Sequence, residues 1–141
     1  MATFVKFYTF VEAVAEKKHD LGADTLKVAL TNTAPTAATD VGFLPGSLHP
    51  PPAAANGYAP GAAAAVTSAQ TGGVYKLCRD DVVFTATAGG IGPFRYALLY
   101  NDTATNDELI GYWDYGSSIT LADTETLTVD FSAANGVLTI T

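Results

Sequence analysis

Apolar and polar positions change their spacing along this chain. Over residues 4–18 they fit a helix. At about 100° per residue, Phe4, Phe7, Tyr8, Phe10, Val11, Val14 and Ala15 share one side, and Lys6, Thr9, Glu12, Glu16 and Lys17 the other. Thr3 is placed to cap the start, and Gly22 to end the helix in a left-handed conformation. So aromatic a stripe packs either on the protein's own sheet or on a neighbouring subunit. Residues 25–31 alternate instead. Leu26, Val28 and Leu30 face one way and Thr25, Lys27, Ala29 and Thr31 the other, which predicts a half-buried strand.

Residues 32–65 obey neither period. They hold six of the seven prolines, the run Pro50-Pro51-Pro52, eleven alanines and one formal charge, Asp40. This predicts a long loop with polyproline character, read as an extended arm that becomes ordered against a partner. From residue 66 onward short strands follow one another: 66–70, 74–79, 82–87, 94–100, 109–115, 117–121, 124–131 and 137–140. Thr71-Gly72-Gly73 marks a hairpin turn, residues 88–93 an irregular glycine-rich turn, and residues 101–107 a polar loop. About eight or nine strands at this spacing predict an all-β fold, an antiparallel sandwich or barrel, jelly-roll-like. The chain reads as a single structural domain over residues 1–141, its main β region at 66–141.

Composition narrows the function. The 141 residues carry 7 basic and 14 acidic side chains, a net charge of −7, and only 15% are charged. Nucleic acid is not an expected partner, because a phosphate backbone calls for clustered Lys and Arg. No run is long and apolar enough to predict a membrane span. The N-terminal stretch is interrupted by Lys6 and Glu12, so it has no clean signal-peptide core, and folding in a cytoplasm is expected. From Tyr96 onward there are seven acids and no Lys or Arg, which polarises the charge along the chain.

Chemistry is sparse. Cys78 stands alone in a strand-like run, and neither histidine, His19 or His49, shares a motif with it. Asp80-Asp81 sits at a turn, where adjacent carboxylates point apart. Asp102, Asp107, Glu108 and Asp114 could offer oxygens to calcium, but their spacing matches no EF-hand. Gly89-Gly90-Ile91-Gly92 leads into Pro93 and a strand, not into the helix that a phosphate cradle needs. Tyr96, Tyr100, Tyr112, Trp113 and Tyr115 could form a sugar-stacking platform or pack a core. The expectation is a non-enzymatic protein without cofactor or metal.

Four segments resemble a known family. They are Asp24–Asn32 (DTLKVALTN), Asp81–Ala86 (DVVFTA), Gly92–Thr103 (GPFRYALLYNDT) and Leu109–Gly116 (LIGYWDYG). They are similar to the head decoration, or cement, proteins of tailed phages, over most of the chain outside residues 33–65. The resemblance implies a virion structural protein made in the cytoplasm of a host bacterium. It would bind the outer capsid surface of an HK97-type shell and stabilise it by bridging capsomers. The implied partners are the major capsid protein and a second copy of the chain, as a homodimer. The family offers no catalytic residues to carry over. Phe4, Phe7, Phe10, Phe43, Leu44, Leu48 and Tyr58 are the expected partner contacts, from the aromatic stripe and the long loop. The alternative is a fibre-type or receptor-binding virion module that contacts glycans through the Tyr/Trp cluster.

Overall fold

The computed structural model describes residues 2–43, 48–62 and 68–141. Its elements in chain order are β1 (Thr3–Lys6), α1 (Thr9–Ala15), β2 (Leu26–Thr31), β3 (Gly61–Ala62), β4 (Ala69–Thr71), β5 (Val74–Leu77), β6 (Val82–Thr85), β7 (Ile91–Asn101), β8 (Leu109–Leu121), β9 (Thr126–Val129) and β10 (Leu138–Ile140). The fold is all-β with one short helix, and every strand pairing among the described residues is antiparallel. Five strands form an open sheet in the order β1-β8-β7-β2-β3. Smaller ladders, β10-β5-β4 and β6-β9, complete the β structure.

The long strands β7 and β8 are the frame. They are rich in β-branched and aromatic residues, which fit a pleated, half-covered surface. The expected strands 109–115 and 117–121 are one strand, β8. Gly116, at φ +84°, lets the backbone pass through the left-handed region without ending the ladder. β7 likewise begins at Ile91, inside the expected turn, and the ladder absorbs the irregularity as register shifts between Ile91 and Tyr96. The Gly72-Gly73 turn joins β4 to β5 as expected, with both glycines at positive φ. Residues 66 and 67 of the expected strand 66–70 lie outside the described residues.

The N-terminal helix is shorter than its pattern suggested. Residues 3–6 form β1 on the edge of β8, with Phe4 opposite Trp113 and Lys6 opposite Gly111. The helix starts only at Thr9, so Thr3 does not cap it, and Tyr8 at the N-cap makes no side-chain cap. It ends at Glu16 and not at Gly22. Lys18 N–H donates to Ala13 O at 2.8 Å and Lys17 N–H to Val14 O at 3.2 Å, a Schellman closure. The left-handed residue of that closure is Lys17, at φ +66°.

Strand β2 is covered on both faces, not one: Ala29 and Thr31 are as buried as Leu26, Val28 and Leu30. Part of the second cover comes from the long loop, which is where expectation and structure differ most. Residues 32–43 and 48–62 fold back on the domain. Phe43 stacks on Tyr100 with ring centroids 4.5 Å apart, and its N–H donates to Asp107 O at 2.8 Å. Gly42 bridges Glu108, and β3 adds a two-residue edge beside β2. Tyr58 packs on Phe84, and its hydroxyl accepts Leu30 N–H at 3.0 Å. That bond serves β2 where β3 no longer does, because β3 reaches only Lys27 and Val28. One hydrophobic cluster joins all these parts, from Phe7 and Phe10 through Leu98 and Trp113 to Phe131. Each such aromatic contributes about 1.5–3 kcal/mol by leaving water.

Candidate functional site

The expected contact residues divide sharply. Phe7, Phe10, Phe43 and Tyr58 are buried in the protein's own core and offer no side chain to a partner. Phe7 lies 5.3 Å from the Tyr112 ring, and Phe10 lies 5.3 Å from the His19 ring. Phe4 is half-buried, edge-on to Trp113 at 4.9 Å, with its ring resting over Gly111. Leu48 is exposed. Leu44 lies outside the described residues.

Another set of apolar side chains reaches solvent. Tyr8 is 68% exposed, Val11 55% and Val41 48%. A seven-residue helix that buries Phe10 and Ala13 turns Val11 outward. Two hydrogen bonds tie the start of α1 to the loop that carries Val41. Tyr8 N–H donates to Ala37 O, and the Thr9 hydroxyl donates to Asp40 O, each at 2.8 Å. One helix over residues 4–18 places Tyr8 and Val11 on the inner stripe; the observed helix does not. No alternation announces β1, because Phe4 and Val5 are adjacent apolar residues between Thr3 and Lys6.

Beneath the helix end lies a buried polar cluster. The Asn101 side-chain oxygen accepts Thr103 N–H at 3.0 Å and Ala104 N–H at 3.3 Å, which fixes the amide orientation. Its nitrogen donates to Asp24 Oδ2 at 2.6 Å and to His19 Nδ1 at 3.0 Å. His19 Nδ1 is therefore an acceptor, and the proton of the neutral ring sits on Nε2. That Nε2 is buried and has no partner. Burial lowers the His19 pKa. Glu108 and Asp24 oppose the shift, and Lys18 reinforces it. Nearby, Arg79 donates to Leu21 O at 3.3 Å and to Asp24 O at 2.9 Å, tying the α1–β2 connection to the chain after β5.

The acidic residues are mostly engaged. Asp102 pairs with Lys27 at 2.8 Å, and Asp114 receives a two-pronged contact from Arg95 at 2.8 and 2.9 Å. Asp107 is raised by burial, then by Asp102 and Glu108. Among the described residues, no three His, Cys, Asp or Glu side chains are grouped to hold a metal ion. Cys78 is buried, and its backbone N–H and C=O both bond the Ser68 hydroxyl, at 3.1 Å each.

The Tyr/Trp cluster is not an open platform. Tyr96, Tyr100 and Trp113 are buried, and Trp113 is flanked by Phe4 and by Phe131 at 5.4 Å. A cleft of about 280 Å³ remains beside it, lined by Phe4, Trp113, Tyr115, Asp130 and Ser132 among others. Tyr115 is half-buried there, and burial pushes its hydroxyl up to about 12. No described helix is long and apolar enough to cross a membrane. Comparison with family models, with curated proteins and with solved structures finds no match.

Proposed function

We propose that this protein decorates the outer surface of an HK97-type capsid and stabilises the shell by bridging its capsomers. It would do so as a homodimer, without catalysis, after synthesis in the cytoplasm of a host bacterium. We read its open sheet and smaller ladders as parts of a jelly-roll-like sandwich. The observation that carries the reading is the exposed apolar surface of Tyr8, Val11 and Val41, set on a well-packed frame. Exposed apolar groups on a rigid surface suit a docking contact. The four family-like segments fall on strands β2, β6, β7 and β8.

The physics suits the task. A protein bound across a joint between capsomers adds its binding free energy to the work of pulling them apart. A dimer with two anchors makes modest affinity per anchor sufficient. The test is co-sedimentation with capsids of the source phage, before and after shell expansion. Saturable binding at a fixed copy number, lost in Val11→Asp, is expected. Absence of binding to either form would overturn the reading.

A glycan-binding virion module is the second reading, favoured by the cleft beside Tyr115 and Asp130. A glycan array comparing wild type with Tyr115→Ala tests it. Trp113→Ala is a poor probe, because Trp113 is part of the core.

A further inference from the structure

A groove runs between α1 and β10. One half, about 250 Å³, is walled by Lys6, Val11 and Val14 on one side and by residues 138–141 on the other. The other half, about 550 Å³, shares Val14 and Ile140 and continues to Lys17, His19 and Tyr75. Four consecutive residues of the β10 end line the first half. A strand that offered only a face would contribute every second residue, so β10 presents its edge. β10 pairs with β5 on one side and, among the described residues, with no strand on the other. Its outward N–H and C=O groups are therefore available to a further strand.

We propose that this groove binds an extended peptide segment of a partner protein, which adds as a strand to β10 and carries an acidic side chain. Two observations select that occupant. The strand edge recognises extended backbone, and the apolar wall of Val11, Val14 and Ile140 recognises alternate apolar side chains. The charge is complementary. In a chain of net charge −7, Lys6 and Lys17 stand at the two halves of the groove, and neither is ion-paired among the described residues. The one acidic side chain in the lining, Asp20, already accepts Gly22 N–H at 3.2 Å. The inference shares Val11 with the capsid reading but rests on the groove, and Lys17→Gly, outside the Tyr8, Val11 and Val41 surface, separates the two.

The probe is a displayed library of random peptides of about 8–10 residues, long enough to run beside a strand. It is selected on the full chain. Enriched peptides are expected to alternate apolar residues and to carry an acid. They should bind Val11→Asp and Lys17→Gly at least about tenfold more weakly. Lys17→Gly places glycine where the backbone is left-handed, so weaker binding by that variant is not a folding defect. In NMR spectra, a selected peptide should shift the amides of residues 138–141, and N-methylation at its alternate amides should abolish binding. A selection that yields no peptide distinguishing wild type from Val11→Asp overturns the proposal. So does sedimentation showing a dimer that Val11→Asp dissociates, since the groove would then hold a second copy.

Discussion

His49 Nε2 donates to Asp40 Oδ2 at 3.0 Å, and both residues are buried within the long loop after β2. Asp40 Oδ2 also accepts Thr36 N–H at 2.6 Å, while its backbone oxygen takes the Thr9 hydroxyl. One aspartate thus closes the loop on itself and on the start of α1. Removing one member of a buried pair leaves the other unsatisfied. Asp40→Ala is expected to cost about 3 kcal/mol, read as a lower urea midpoint, while Leu48→Ser at an exposed position should change little. Equal midpoints for Asp40→Ala and wild type would show that the clasp carries no stability.

The same loop supplies Tyr58, whose hydroxyl occupies Leu30 N–H beyond the end of β3. Tyr58→Phe keeps the ring against Phe84 and orphans that N–H, at an expected cost of about 1–3 kcal/mol. Deleting residues 42–57 should be far worse, because it removes Phe43 from its place on Tyr100 and His49 from Asp40. Circular dichroism of the deletant should show loss of the folded β signal. A deletant that melts like wild type would mean the loop is an appendage, as its composition alone suggests.

Legibility in the sequence tracked the range of the deciding interaction. The β2 strand and the Gly72-Gly73 turn are local, and both were readable, though not the cover on the second face of β2. Phe4 and Phe7 fit a helical stripe as well as they fit β1 and its exit. What decides between them is pairing with Trp113 and Gly111, more than a hundred residues away. Phe43, His49 and Tyr58 are single anchors in an aperiodic stretch, so no period announces their burial. Gly116 reads as a break because local pattern does not distinguish a turn from an irregularity inside a long strand. The groove beside β10 was hidden for the same reason: it is built from both ends of the chain.

Phe4 and Gly111 should prove coupled. A Cβ at Gly111 would run into the Phe4 ring, which lies over it on the way to Trp113. Gly111→Ala must push that ring off, loosening β1, at an expected cost of about 1–3 kcal/mol. With Phe4→Ala already in place that clash with the ring is gone. The double variant should then be more stable than the sum of the two losses implies, by about 1 kcal/mol in a double-mutant cycle. Strict additivity would show that the two positions do not touch in solution.

His19 should make the fold acid-sensitive in a definite direction. Burial lowers its pKa below the ordinary 6.5. Protonation would also set an Nδ1–H against the Asn101 amide nitrogen, donor against donor. Between the folded value and 6.5 the unfolded chain binds more protons than the folded one, so stability rises with pH across that window. The contribution is complete above the ordinary value and is lost as pH falls toward the folded one. The groups facing the ring set its size: Glu108 and Asp24 moderate the shift, and Lys18 deepens it. His19→Gln retains an acceptor for Asn101 and has no proton to gain. Urea midpoints compared at about pH 7.5 and about pH 5 should therefore fall less in His19→Gln than in wild type. An equal fall in both proteins would assign the acid sensitivity to other groups and leave His19 a packing residue.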